Sequence, residues 1–276
     1  MTLDNPYKMT LDNPYKMTLD NPYKMTLDNP YKRIARPFDN PRGRWIIGSI
    51  DRSHLLSSDF ATNRTTAIRA YHAIEKDLRQ VFDFIEPDDR NMTTFSTRLY
   101  EIFLRASTEF ESNCKLILCE NGYSRSGKKL NITDYKKIKK ATRLLEYKVQ
   151  LTVWANKPLL LDPFSCWSNC DSLNWYKEYN EVKHNRSSEF HRANLKNTVD
   201  AVAALFIILF AQFNTLSFSA HELVGHVNNV DEWLVHHNSI FWVKVPTDWS
   251  ENECYSSTSR NETFNQFDFN IEVNAL

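Results

Sequence analysis

Glycine is nearly missing from this chain, with five residues in 276. That scarcity argues against a turn-rich β-sandwich and against a glycine-lined loop that cradles phosphates. Cysteine is sparse and odd in number. Cys114, Cys119, Cys166, Cys170 and Cys254 are scattered without a disulfide-framework spacing, which points to a reducing compartment. Cys166 and Cys170 are followed by no second Cys/His pair at zinc-like spacing, so neither a metal nor another cofactor is expected. Neither sign of charge prevails, with 34 basic and 34 acidic residues, so no global basic field advertises nucleic acid, although a local patch is compatible with it. A long hydrophobic run is also lacking. The most apolar stretch, Ala201 to Phe213, covers about 13 residues, where a bilayer needs roughly 20. No secretory h-region precedes the fold. The expectation is a cytoplasmic protein without a membrane partner.

What is present begins with repetition. Residues 1–32 are four copies of Met-Thr-Leu-Asp-Asn-Pro-Tyr-Lys. A unit with two or three apolar side chains and an internal Asn-Pro cannot bury enough surface to offset its ordering entropy. Residues 1–32 are therefore expected to be disordered, with Met25 as the functional start. Residues 33–64 read as a basic, solvated lead-in, in which Pro37 and Pro41 interrupt the helix pattern and Trp45 to Ile50 is strand-like.

Helical periodicity dominates residues 65–218. Ile68, Tyr71, Ile74, Leu78, Val81, Phe82 and Ile85 recur at three- and four-residue steps over 67–85. Leu99, Ile102, Phe103, Ala106, Phe110 and Cys114 do the same over 95–119. A helix start is expected at Asn131 to Asp134, continuing as a basic helix over 135–145, then irregular or strand-like chain around Val149 to Trp154. Helices are expected again over 173–186 and 189–213. Residues 219–276 change character: 237–245 is strand-like, and Phe267, Phe269, Ile271 and Val273 alternate with polar residues. The fold class expected is mainly α with a small β-rich C-terminal appendage.

Chemistry concentrates in Tyr179-Asn180-Glu181-Val182-Lys183-His184-Asn185-Arg186. Asn180 and His184 stand four apart and share a helical face. A histidine moves a proton at neutral pH, an asparagine orients a substrate, and Lys183 and Arg186 offer charge to phosphate. The plainer alternative is a histidine that completes internal hydrogen bonds. Glu109 and Glu111, two apart on one helix, diverge by about 200° and cannot form a paired-carboxylate site, though one of them could polarise His184. His221-Glu222-Leu223-Val224-Gly225-His226 has a five-residue gap between its imidazoles instead of four, which excludes a zinc-protease helix.

The order of a long helix, a second helix bearing Arg105 to Glu111, the Tyr179–Arg186 run and an apolar helix resembles a HEPN-type helical domain, and more narrowly bacterial proteins with a YNxVKHxR signature. The resemblance covers about 65–215. It implies a helical bundle, a homodimer and, in many members, a metal-independent endoribonuclease of bacterial stress or phage defence. On that reading His184, Asn180 and Glu109 are the catalytic candidates, and Lys183, Arg186 and Tyr179 the RNA contacts. Tyr179 stands where active members carry Arg. The other reading is a non-catalytic helical module that binds a protein or nucleotide partner and uses the motif residues structurally.

Overall fold

The computed structural model describes residues 31–37, 55–125, 127–214, 227–230, 233–236, 239–255 and 269–270. The repeats through residue 30, the strand-like run at Trp45 to Ile50, the His221–His226 segment and all but two residues of 264–273 lie outside those limits.

Within them the chain is mainly helical, with one small antiparallel sheet. Helix α1, Arg64–Val81, buries Ile68, Tyr71, Ile74, Leu78 and Val81. It stops four residues before the periodicity does. The Val81 carbonyl takes the N–H groups of both Phe84 and Ile85, at 3.0 and 2.9 Å, in a turn that tightens ahead of Pro87. Helix α2, Thr97–Glu120, opens on Ser96, whose Oγ accepts the Leu99 N–H at 3.1 Å. The basic helix expected over 135–145 is instead two short pieces. Helix α3, Ile132–Tyr135, carries an Asn131/Asp134 capping box, and α4, Ile138–Thr142, ends where Arg143 turns left-handed at φ 53°.

Helix α5, Asn174–His184, and the short α6, Arg186–Glu189, meet at a bend on Asn185. The helix expected to run unbroken from Glu189 begins only at α7, Leu195–Phe213. Asn194 caps it by accepting the Asn197 N–H at 3.0 Å, and also bridges to Phe95. Apolar on nearly every side, α7 is long enough by composition to cross a membrane. It forms instead the central core helix, with 83% of its most apolar window buried against α1, α2 and α5.

Five strands follow the order β2-β1-β5-β4-β3, all antiparallel: β1 Lys148–Leu151, β2 Leu159–Leu161, β3 Val227–Val230, β4 Trp233–His236 and β5 Phe241–Lys244. The sheet is therefore not an appendage confined to residues 219–276. Val149 lies opposite Val243 and Leu151 opposite Phe241, so mid-chain and late-chain strands share one buried face. Phe241 meets Phe206 of α7 at 5.5 Å between ring centres. Buried Glu75 of α1 fixes the entry to β5, accepting from Ser239 Oγ at 2.7 Å and from the Ile240 N–H at 2.9 Å.

The basic lead-in overturns expectation. Tyr31, Arg33, Ile34 and Arg36 are buried, so the end of the last repeat and the start of the lead-in are core, not solvated linker. Arg33 sits at φ 58° with its Nε 2.7 Å from Glu120 Oε1, and it also donates to Asn63 Oδ1 and Gln212 Oε1. Arg36 donates to the Ala141 carbonyl through Nε and Nη2, at 3.1 and 2.7 Å, and to the Glu253 carbonyl at 3.0 Å. Its guanidinium also stacks on the Tyr31 and Trp249 rings. Planar guanidinium donors aimed at fixed carbonyls are what makes burial of such charges tolerable.

Candidate functional site

Helix α5 carries the motif because its apolar residues fall on one stripe. Trp175, Tyr176, Tyr179 and Val182 are all buried, and Trp175 stands edge-on to Phe110 of α2 at 5.2 Å. This packing sets the orientation of everything else on the helix.

Tyr179 is a core ring, 1% exposed and 6.1 Å from the Phe103 ring, which removes it as an RNA contact. Its hydroxyl accepts from Lys183 Nζ at 3.0 Å, and the same ammonium lies over its ring. Lys183 is also 3.9 Å from Glu111 Oε1, and these contacts, led by the Tyr179 hydrogen bond, raise its pKa. The Tyr176 hydroxyl donates to Glu111 Oε1 at 2.7 Å. Burial first, and that carboxylate second, push the Tyr176 phenol far above its usual range. On the other side of Glu111, Lys115 Nζ closes an ion pair at 3.3 Å.

The glutamate that faces α5 is therefore Glu111, and it meets Tyr176 and Lys183, not His184. Glu109 is half-buried, its carboxyl has no partner among the described residues, and burial raises its pKa. Only its backbone carbonyl is used, accepting from Asn113 Nδ2 at 2.8 Å. The expected Glu109–His184 couple is absent. A sequence signal for Glu111 did exist: it precedes Lys115 by four residues, the spacing of a helical ion pair.

His184 lies on the last turn of α5, exposed, and no hydrogen bond, ion pair or ring contact reaches its imidazole among the described residues. Asn180, one turn earlier, is partly exposed, and its side chain is likewise unpartnered among them. Beyond the bend, Arg186 leaves the α5 face. Its guanidinium lies over Tyr100 at 4.5 Å and over Phe190 at 5.5 Å, a pair of contacts that the primary structure did not announce.

A second feature is a cavity of about 250 Å³ lined by Met92, Leu161, Trp175 and Val199, with Asp162 and Asp200 at its polar wall. Burial raises the Asp200 carboxyl, while Lys196 Nζ pairs with it at 2.7 Å. Trp175 and His184 are separated by most of α5, roughly 13 Å along the axis at 1.5 Å per residue, so the cavity and the imidazole are separate places. Among the described residues, no group of three or more His, Cys, Asp or Glu side chains could hold a metal ion. No protein-family model, curated protein or solved structure matches the chain.

Proposed function

We propose that this protein is a HEPN-like, RNA-directed factor of the metal-independent endoribonuclease type, acting as a homodimer in bacterial stress or phage defence. The observation that carries the reading is the exposed, unpartnered His184 imidazole, with Asn180 one turn behind it and the Lys183 and Arg186 cations within two residues. In such a reaction His184 takes the proton of a ribose 2′-hydroxyl. The freed oxygen attacks the adjacent phosphorus, and the 5′-oxygen leaves with a proton returned by an acid. One imidazole cannot hold both sides of the phosphate at once, so the second group comes from the other protomer of the dimer. Lys183 and Arg186 stabilise the charge on the phosphate.

A second reading, a non-catalytic binding module, is favoured by one specific observation. No carboxylate among the described residues orients His184, because Glu111 is engaged by Tyr176. One experiment separates the two. Full-length protein and His184→Ala are incubated with total RNA in excess EDTA. The expected result is cleavage to 2′,3′-cyclic phosphate ends by the wild type alone. Cleavage by both proteins, or by neither, overturns the catalytic role and leaves the binding module.

A further inference from the structure

Beside the motif, the bend at Asn185 gathers three aromatic rings and a cation. Phe95 stands perpendicular to Phe190 at 5.8 Å, and the Tyr100 ring lies 5.6 Å from Phe190. Arg186 spans Tyr100 and Phe190. Phe95 is 49% exposed, an unusual position for a ring whose backbone is held so firmly. The adjoining Ser96 caps α2, Phe95 bridges to Asn194, the Thr94 carbonyl accepts the Leu195 N–H at 2.8 Å, and the Met92 carbonyl accepts the Lys196 N–H at 3.0 Å. The ring is thus mounted on two helix starts locked together, and holding it at the surface costs a ligand little further ordering.

The charges around it select a ligand. Arg186, His184 and Lys183 are exposed within four residues of one another. Arg186 forms no ion pair among the described residues. The nearest acids of the same segment are largely used: Glu178 and Glu189 both go to Arg192, and Glu181 is exposed with no ion pair among the described residues. An exposed aromatic ring beside the Arg186 guanidinium, which has no ion pair among the described residues, suits a polyanion whose own flat rings can be splayed out.

We propose that Phe95, backed by Phe190 and Tyr100 and flanked by Arg186, is a platform on which one unpaired base of single-stranded RNA stacks. The following backbone phosphate runs toward Lys183, with His184 reserved for the cleavage step of the reading above. This rests on the RNA-directed reading above and adds to it a strand preference and a binding residue outside α5, just ahead of the α2 cap. It also places a base on the α2 side of the bend, so the scissile phosphate lies next to an anchored nucleotide.

The test uses full-length protein carrying His184→Ala, so that bound RNA is not consumed, and a 12-nucleotide oligouridylate with one 2-aminopurine. Saturable binding with quenching of the 2-aminopurine is expected, and weaker binding of a duplex of equal length. Phe95→Ala should weaken single-strand binding roughly 5- to 100-fold and remove the quenching, while Phe95→Trp retains both. Arg186→Ala supplies an independent arm should Phe95→Ala fail to fold, and it should weaken binding and flatten the salt dependence. Unchanged affinity and quenching in a folded Phe95→Ala or Arg186→Ala protein overturns the platform and leaves the RNA reading standing. A change in sedimentation mass in place of RNA affinity also overturns it, because it assigns the ring to a second copy of the chain. Absence of any RNA binding by the His184→Ala parent and by the wild type sinks both proposals together.

Discussion

Two basic stretches of this protein have exchanged the roles that their residues suggest. Arg33 and Arg36 sit in a segment punctuated by prolines and preceded by repeats, yet both are buried and donate to fixed oxygens across the core. Lys183 and His184 end a helix with a full apolar stripe and Arg186 opens the short helix after it, yet all three are exposed. The difference lies in what surrounds each group. The arm passes helix ends and loop carbonyls, whose unpaired oxygens need donors. The end of α5 points past its packing partners into water. Basic charge in a sequence therefore says little about burial until the acceptors are located.

The sharpest way to break this contrast is to cut the arm. Removing residues 1–24 should leave the thermal unfolding transition where it is. Removal of 1–36 should abolish cooperative unfolding, because Tyr31, Ile34 and Arg36 all leave the core. Calorimetry on the two truncations decides it, and a cooperative transition in the shorter one would show that the arm is dispensable. A single change probes the same region more gently. Arg33→Leu strands Asn63 and Gln212 and leaves Glu120 uncompensated, and it should cost about 3 kcal/mol in denaturant unfolding.

On the α5 side the effects shrink toward the helix end. Tyr176→Phe deletes the donor to Glu111 and should cost about 1–2 kcal/mol, the range for a half-buried hydrogen bond to a charged acceptor. Glu111 keeps Lys115 and Lys183, which limits the loss. His184→Ala, with no partner to lose among the described residues, should shift stability by less than about 0.5 kcal/mol. A large loss there would mean that the imidazole holds the fold together, and the contrast with Arg33 would collapse.

A third comparison uses pH. Burial favours the neutral form of Asp134, but the Tyr123 hydroxyl, the Asn131 N–H and the Arg125 guanidinium outweigh it and hold the carboxyl below its usual range. Its folded pKa is depressed, so the stabilisation is present above the unfolded value and disappears as pH falls through the folded one. Asp134→Asn should therefore lie below wild type near neutrality and converge with it in acid, as urea midpoints taken across that range would show. Parallel curves would mean that the charge contributes nothing.

Helical stripes were legible because period 3.6 leaves a repeating mark, and α1, α2, α5 and α7 all lie where that mark is strong. Their ends were less so. The stop of α1 at Val81 comes from a carbonyl shared by two donors, and the start of α7 at Leu195 from the Asn194 cap and its bridge to Phe95, neither of which alters periodicity. The stretches around Val149 to Trp154 and over 237–245 read as strand-like, but nothing local reveals that Val149 lies opposite Val243 and Leu151 opposite Phe241. At the candidate site the Asn180–His184 face was readable from spacing. The burial of Tyr179, the choice of Glu111 over Glu109 and the Phe95 platform were not, since each depends on which helix comes to lie alongside.

The pairing of β1 with β5 also has a consequence during synthesis. β1 is complete at Leu151, but its partner begins at Phe241, about 90 residues later. At ribosomal speeds of about 5–20 residues per second, the inner edge of β1 waits roughly 5–20 s for its mate. Through that interval a strand with one apolar face and open backbone groups is a template for any passing chain. Chaperone demand for this protein should therefore be set by how fast those residues are translated.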